Sequence, residues 1–322
     1  MEVLLDFDNY PRSSRFYGGR GKKRGIRMDG DNWIVKYARL LRDPADGTEF
    51  YSSGPLSEYL GSQVYALLGL PVHETRLGLC GGKLAVACRD YTDDLPVQAG
   101  LLRIYTVQQL VNDTLGGDTE QTGISSPRRT QGTELGNLLH TLAHHPLADV
   151  VLRARFWAMF IVDILLGNGG RSLEDWGFYC TDGPVMHLLP VYANAPCLLP
   201  AISDGEAEQI LADTDRYEAV LYDGGSHFLY RGREVDRLAV IQQLGLAKEE
   251  KSYGLMEALC RIVPAVHWTM PAIQFLLDRI PETCRGVSVL CPARRQLYGK
   301  LLADRQEKIL EPALRKASAY RE

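Results

Sequence analysis

The chain has 322 residues, a formal net charge of −4 at pH 7 and a hydrophobic content of 45%. The length predicts about two domains or one two-lobed domain, and the acidic balance argues against a general nucleic-acid-binding surface. Seven cysteines without a C-x-x-C pair predict reduced thiols in a cytoplasmic protein. No apolar run reaches the roughly 18 residues that a transmembrane helix needs, so we expect no membrane association.

A basic segment that contains glycines lies between residues 12 and 27. It holds seven basic residues and no acidic ones, and Gly18, Gly19 and Gly21 stand just before Lys22. Glycines allow a backbone to approach a phosphate closely, and successive amide groups form an anion-binding nest. The segment is a candidate phosphate-binding loop. A solvated basic loop explains the same residues, because the Walker A pattern is absent.

Two β-hairpins and a helix are predicted in the first third of the chain. Each hairpin is centred on a dipeptide that favours a two-residue turn, and the helix has apolar residues at helical spacing. These elements are the hairpin of residues 25–29 and 32–37, the helix 55–68, and the hairpin of residues 74–80 and 83–91. Helical periodicity dominates after residue 90, so we expect a strand-rich lobe over residues 1–92 and a larger helical lobe over residues 93–322.

The second lobe is predicted to be mostly helical, with a polar loop over residues 113–133 that is typical of functional or disordered segments. The predicted helices are 104–112, 134–144, 147–166, 204–212, 235–244, 248–262, 265–277 and 293–319, and the predicted hairpins are 176–179 with 185–189 and 216–223 with 227–233. We interpret His267 and Trp268 as core residues of an apolar helix rather than ligands.

Residues 161–200 carry the most informative pattern of the chain. A nearly continuous apolar helix ends at Leu166, and the glycines that follow do not continue a helix at low cost. The polar run 171–175 is therefore expected in a loop between this helix and a hairpin. Such an arrangement resembles the catalytic-loop region of a protein kinase.

Two sequence frames narrow this resemblance to the HipA-like kinases. The family has a loop of the form G-N-x-D-R-H-x-x-N-x-G, and residues 167–177 of this chain read GNGGRSLEDWG. The family also has P-x-Y-D-N, and residues 190–194 read PVYAN. The resemblance covers about residues 12 to 240 and implies an α+β, two-lobed, kinase-like fold related to toxin–antitoxin kinases.

The reactive positions of both frames depart from the family pattern. Gly170 stands at the catalytic Asp, Ser172 at the His, Asp175 at the metal-binding Asn and Ala193 at the metal-binding Asp. Phosphoryl transfer needs a residue that accepts the proton of the substrate hydroxyl and residues that hold Mg²⁺ on the phosphates. With no catalytic residue intact, the resemblance implies a pseudokinase with a binding or regulatory role. Two alternatives stay open: a serine/threonine kinase that uses displaced carboxylates such as Glu174, and a nucleotidyl transferase on the same scaffold.

The resemblance also implies a nucleotide site. Its expected members are Gly18, Gly19, Gly21, Lys22, Lys36, Glu58, Asp90, Tyr91 and Asn168. Lys36 and Glu58 are expected to form the ion pair that holds a lysine against the phosphates. On pattern alone an exposed edge-strand lysine is favoured for Lys36, and Glu58 can also act as a helix N-terminal acid that favours the dipole. Asp175 is the remaining oxygen ligand for Mg²⁺. We therefore expect weak or absent binding of ATP and Mg²⁺, an unidentified protein partner and no nucleic acid.

Overall fold

The computed structural model describes residues 4–17, 22–44, 46–95, 103–115, 133–148, 150–180, 186–248 and 250–321. Gly18, Gly19 and Gly21 of the predicted phosphate loop lie outside the described residues, as do residues 116–132 of the polar loop and the turn predicted at residues 182–183. None of the helices within the described ranges is both long and apolar enough to cross a membrane.

A five-stranded sheet forms the N-terminal part of the fold, with the strand order β1-β6-β7-β3-β2. Its strands are β1 (Leu5–Asp6), β2 (Lys23–Met28), β3 (Asp31–Tyr37), β6 (Thr75–Cys80) and β7 (Lys83–Arg89). The pair β1–β6 is parallel and the other pairs are antiparallel. Both predicted hairpins are confirmed. Asp29 and Gly30 have φ values of 55° and 90°, which two-residue hairpin turns require.

Helix α1 (Gly54–Leu67) packs against this sheet and follows the short strands β4 (Leu40–Arg42) and β5 (Glu49–Tyr51). Pro55 stands in its first turn, where the missing amide hydrogen is not needed. The helix is buried on most of its surface, so even Glu58 is 0% exposed. A buried carboxylate requires a charged or hydrogen-bonded partner, and the sheet supplies one.

The C-terminal part is dominated by helices. They are α2 (Val107–Thr114), α3 (Leu135–His144), α4 (Val150–Leu166), α5 (Asp204–Ala212), α6 (Thr214–Leu221), α7 (Arg237–Gln243), α8 (Tyr253–Arg279), α9 (Pro292–Arg305) and α10 (Glu311–Arg321), with a π-helical turn at Gln306–Leu310 between the last two. From Phe156 onward helix α4 is apolar except for Asp163 and is buried there, as expected for a central helix. The loop that begins at Gly167 follows directly after the C-terminus of this helix.

Small sheets border the helices. Their strands are β8 (Arg103–Thr106), β9 (Thr133–Glu134), β10 (Gly177–Cys180), β11 (Met186–Leu188), β12 (Phe228–Tyr230), β13 (Arg233–Glu234), β14 (Gly245–Ala247), β15 (Glu250–Lys251), β16 (Thr283–Cys284) and β17 (Val287–Ser288). Strands β10 and β11 pair antiparallel, which confirms the hairpin predicted after the catalytic-loop frame. Strand β8 adds to the other side of β10. The lobe boundary at residue 92 stays a prediction.

The helix predicted at residues 104–112 is wrong in its first half. Residues 103–106 form β8, and the helix begins only at Val107. Thr106 and Gln109 form a reciprocal capping box, which fixes the helix start at that point. The residues before the cap have no helical partner and complete the sheet instead.

The hairpin predicted at residues 216–223 and 227–233 is also wrong. Residues 214–221 form helix α6, because Asp213 caps its N-terminus by accepting hydrogen bonds from the amides of Asp215 and Arg216. Strand β12 pairs with β13 and, in parallel, with β9. The parallel partner is far away in the sequence, so no local pattern indicates it.

The two helices predicted at residues 248–262 and 265–277 are one helix, α8, which continues through Pro264 and Pro271. A proline inside a helix costs about 3 kcal/mol, but buried apolar residues continue at helical spacing on both sides and pack into the core. Trp268 and His267 face away from this core side. Trp268 is 80% exposed and His267 is exposed, so their assignment to the core is wrong.

Candidate functional site

Lys36 and Glu58 form the predicted ion pair. The Nζ atom of Lys36 on β3 lies 2.9 Å from Oε2 of Glu58 on α1. Burial alone would raise the pKa of Glu58, but the Lys36 ammonium and the His73 side chain outweigh it, and the pKa is lowered. Burial alone would lower the pKa of Lys36, but the Cys88 sulfur and the Glu58 carboxylate raise it. Both groups are therefore charged at neutral pH.

The second oxygen of Glu58 connects the sheet and helix to the later sequence frame. Oε1 accepts a hydrogen bond from the Asn194 amide at 3.2 Å and lies 3.2 Å from Nε2 of His73. The Asn194 side chain in turn donates from Nδ2 to Ser62 Oγ at 3.0 Å. The PVYAN segment is thus attached to α1 by two hydrogen bonds.

Arg171 is the buried centre of the first sequence frame. It donates from Nε and Nη2 to the two carboxylate oxygens of Asp163 at 2.5 and 3.0 Å. It also donates from Nη1 to the Tyr192 carbonyl at 2.6 Å and from Nη2 to Asn194 Oδ1 at 2.8 Å. Both charged side chains are only 6% exposed. The two frames and α1 therefore form one hydrogen-bonded unit that runs from Asp163 to Lys36.

The position that the resemblance assigns to the catalytic Asp has no side chain and little space for one. A Cβ atom built on Gly170 would lie 2.9 Å from Cγ and 3.0 Å from Cβ of Pro196, which is closer than such atoms pack. Asn168 holds this part of the loop, because its Oδ1 accepts from the Gly170 amide at 3.2 Å and its Nδ2 donates to Asp163 at 3.3 Å. The Asn168 side chain is thus engaged in loop structure.

The Asp175 carboxylate is partly occupied by hydrogen bonds within its own loop. Its Oδ2 accepts hydrogen bonds from the amide and the hydroxyl of Ser172 at 2.8 and 2.7 Å. Its charge contributes to the raised pKa of Lys36, and its membership of one site with Lys36 and Glu58 stays a prediction. Mg²⁺ prefers six oxygen ligands and is usually held by one or two carboxylates together with substrate phosphates. Asp175 fits that role alone, since Ala193 offers no oxygen from its side chain.

Asp90, an expected member of the nucleotide site, binds two side chains of the N-terminal segment. Its carboxylate accepts hydrogen bonds from Arg15 at 2.6 Å and from Tyr17 at 2.9 Å. Burial and the Asp90 carboxylate raise the pKa of Tyr17 to about 12. These contacts attach Arg15 and Tyr17, which lie just before the glycine segment, to the end of β7, so the Asp90 side chain positions that part of the chain. Tyr91 stacks on Tyr192 with ring centroids 5.7 Å apart, and Lys22 is exposed.

Two residues beside Glu58 were not indicated by the sequence. His73 precedes β6 and Cys88 lies on β7, and both are buried next to the ion pair. Burial lowers the pKa of His73, and burial raises the pKa of Cys88 to about 12. No spacing rule links these two residues to Glu58, since they meet only after the helix packs on the sheet.

Comparisons with known proteins agree with this architecture. No family model matches the chain. It is 26% identical over 301 residues to the serine/threonine-protein kinase CtkA of Helicobacter pylori, which covers 92% of this chain and 83% of CtkA. The crystal structure of that proinflammatory kinase superposes with a TM-score of 0.78 at 23% identity, over 98% of this chain and 99% of the other.

A second solved structure shares the fold at greater distance. It is HipA of the Shewanella oneidensis toxin–antitoxin system, solved with HipB and operator DNA, with a TM-score of 0.54 and 14% identity over 95% of this chain and 67% of HipA. The fold and the Lys–Glu pair define a protein of the kinase-fold class. Within this class the chain is similar to the HipA-like kinases, and its similarity to CtkA extends over 92% of this chain.

Proposed function

We propose that this HipA-like protein is a pseudokinase that binds or regulates an unidentified protein partner and retains weak binding of ATP. The observation that carries the proposal is the contrast at the catalytic-loop frame. Its supporting residues, Arg171 and Asn194, are fully hydrogen-bonded, whereas Gly170 has no side chain and Pro196 lies where a Cβ would point.

Phosphoryl transfer depends on charge placed around the γ-phosphate. A carboxylate at the catalytic position accepts or orients the hydroxyl proton, and loss of such a group commonly reduces the rate by several powers of ten. Asp163 does not replace it, because this carboxylate is buried in an ion pair with Arg171. The hydrogen bonds of Arg171 therefore hold the conformation of the catalytic loop, but no carboxylate stands at position 170 to act as a base.

Residual nucleotide binding rests on groups that remain. Lys36 presents a charged ammonium beside Glu58, and bound ATP with Mg²⁺ would place its phosphates against Lys36 and its metal against Asp175. We propose a reducing cytoplasm as the location, because no disulfide joins the cysteines of the described residues.

The alternative is an active serine/threonine kinase that uses displaced carboxylates. CtkA is named as such a kinase, and Asp175 keeps a carboxylate near Lys36. Glu174 is exposed one residue earlier. These two side chains are the candidates for a displaced base or metal ligand.

The test combines nucleotide binding with phosphate transfer. Thermal shift with ATP, with and without Mg²⁺, should show stabilisation of the unaltered protein and of Lys83→Met, a control at an exposed strand lysine. The Lys36→Met variant should show no thermal stabilisation by ATP. Radiolabelled ATP should then give no autophosphorylation above the Lys36→Met background. Transfer by the unaltered protein that Lys36→Met abolishes would contradict the pseudokinase, and Glu174→Gln and Asp175→Asn would identify the carboxylate in use.

A further inference from the structure

Three side chains with metal-binding atoms meet beneath the sheet beside the ion pair. Glu58, His73 and Cys88 are 0%, 6% and 1% exposed. Their ligand atoms all lie within 4.8 Å of one another. They come from three separate elements, namely helix α1, the segment before β6, and β7. Such a cluster is rare inside a core unless it is paired or bound to an ion.

The His73 ring gives a second and independent observation. Its Nε2 atom is fully buried and makes no hydrogen bond within the described part of the chain, although it lies 3.2 Å from Oε1 of Glu58. Two ligand atoms bound tetrahedrally to one zinc ion, each at about 2.0–2.1 Å, lie roughly 3.3 Å apart. The separation of these two atoms is therefore that of neighbouring ligands of one ion.

We propose that Oε1 of Glu58, Nε2 of His73 and Sγ of Cys88 form a binding site for a single zinc ion. Oxygen, nitrogen and sulfur donors together suit Zn²⁺, whereas Mg²⁺ and Ca²⁺ take oxygen ligands. On binding, the Cys88 thiol releases its proton to solvent and the sulfur coordinates as thiolate, while the His73 ring keeps its proton on Nδ1. The site is distinct from the Mg²⁺ position that we assign to Asp175.

The ion and the Lys36 ammonium share one carboxylate. The Lys36 ammonium lies 2.9 Å from Oε2 of Glu58 and also contacts the Cys88 sulfur, so a zinc ion at Oε1 would share two of its ligands with this ammonium. The ammonium opposes a second positive charge at this range, so removing it should tighten zinc binding by roughly tenfold or more. The ion would pin α1 to β7 at the point where Glu58 positions Lys36. Zinc would therefore fix the nucleotide-binding lysine without any nucleotide.

The test uses Co²⁺ as a spectroscopic substitute for Zn²⁺ in the full-length, metal-free protein. One Co²⁺ per chain should bind with a near-ultraviolet band from thiolate coordination, and Zn²⁺ should displace it. Cys88→Ser should abolish the band, and His73→Gln should weaken binding at least tenfold, as losses of ligands do. Cys197→Ser, at another buried cysteine, should leave both unchanged.

The outcome that overturns the site is a Co²⁺ band that persists in Cys88→Ser, that disappears equally in Cys197→Ser, or that the unaltered protein does not show. Circular dichroism establishes that each variant is folded. If Cys88→Ser does not fold, the Lys36→Met variant provides the test. The proposed site requires this variant to bind Co²⁺ more tightly, and unfolding does not increase the Co²⁺ affinity. Unchanged or weaker binding in Lys36→Met would refute the proposal.

Discussion

Replacing Arg171 by methionine should strongly destabilise the protein, because Arg171 is the cation of a buried ion pair. Methionine fills a similar volume but leaves the Asp163 carboxylate without its cation. Arg171 makes two hydrogen bonds to this carboxylate, one to the Tyr192 carbonyl and one to the Asn194 side chain. The three bonds to Asp163 and Asn194 are buried and the bond to Tyr192 is part-buried, so solvent does not replace most of them.

The magnitude follows from the burial of the pair. Removing one partner of a buried ion pair costs about 3–5 kcal/mol, because the other charge stays buried and uncompensated. Asp163 keeps hydrogen bonds from Tyr65 Oη at 2.8 Å and from Asn168 Nδ2 at 3.3 Å. These two donors stabilise the stranded carboxylate, so we expect a loss near the lower end, about 3 kcal/mol.

The assay is urea unfolding at pH 7, followed by circular dichroism. The matched control is Arg42→Met, which breaks the Arg42–Glu49 pair, whose side chains are 71% and 52% exposed. An exposed pair of this kind contributes at most about 1 kcal/mol. The double variant Asp163→Asn with Arg171→Met should lose less stability than Arg171→Met alone, since it leaves no buried charge.

Two results would refute this reasoning. A loss below about 1 kcal/mol for Arg171→Met, equal to that of the exposed control, would show that Asp163 is neutral or solvated in the folded protein. Strict additivity of the Asp163→Asn and Arg171→Met changes would show that the two side chains do not interact. Either result would also show that stability does not explain why Arg171 and Asp163 are present beside Gly170.

The remaining predictions concern pH and restored chemistry. Burial lowers the pKa of His73 below its ordinary value of 6.5. Below about pH 6.5 the unfolded chain therefore binds a proton that the folded protein does not bind. The free energy of unfolding should fall as the pH drops through this range, by at most about 1.4 kcal/mol per pH unit. His73→Gln should flatten this slope in urea unfolding between pH 7.5 and 5.5, and an unchanged slope would contradict it. Gly170→Asp with Ala193→Asp should give phosphate transfer only when Pro196→Gly removes the atoms within 3.0 Å of the new side chain, because the groups act as one unit. Equal transfer with Pro196 intact would show that the loop already has room.

The sequence determined the features whose causes are local. Asp29-Gly30 and Gly81-Gly82 fix their hairpins through backbone preference, and Ser203 caps α5 by accepting from the Glu206 amide at 3.1 Å. The motif of residues 167–177 could be recognised from the sequence because it is defined by the order of consecutive residues. The Lys36–Glu58 pair was predicted only through the resemblance, since the pattern alone favoured an exposed edge-strand lysine at Lys36.

The tertiary structure alone decided which distant groups meet. The Asn194 amide reaches Glu58 across 136 positions of sequence, and His73 and Cys88 join the same carboxylate only when α1 packs on the sheet. Hydrophobic periodicity shows which face of an element is apolar, but it does not show which element covers that face. The continuity of α8 through Pro264 therefore depended on tertiary packing that stabilises the helix by more than the roughly 3 kcal/mol that a proline costs. For the same reason, the sequence showed that Gly170 has no side chain, whereas only the fold showed that Pro196 occupies the neighbouring space.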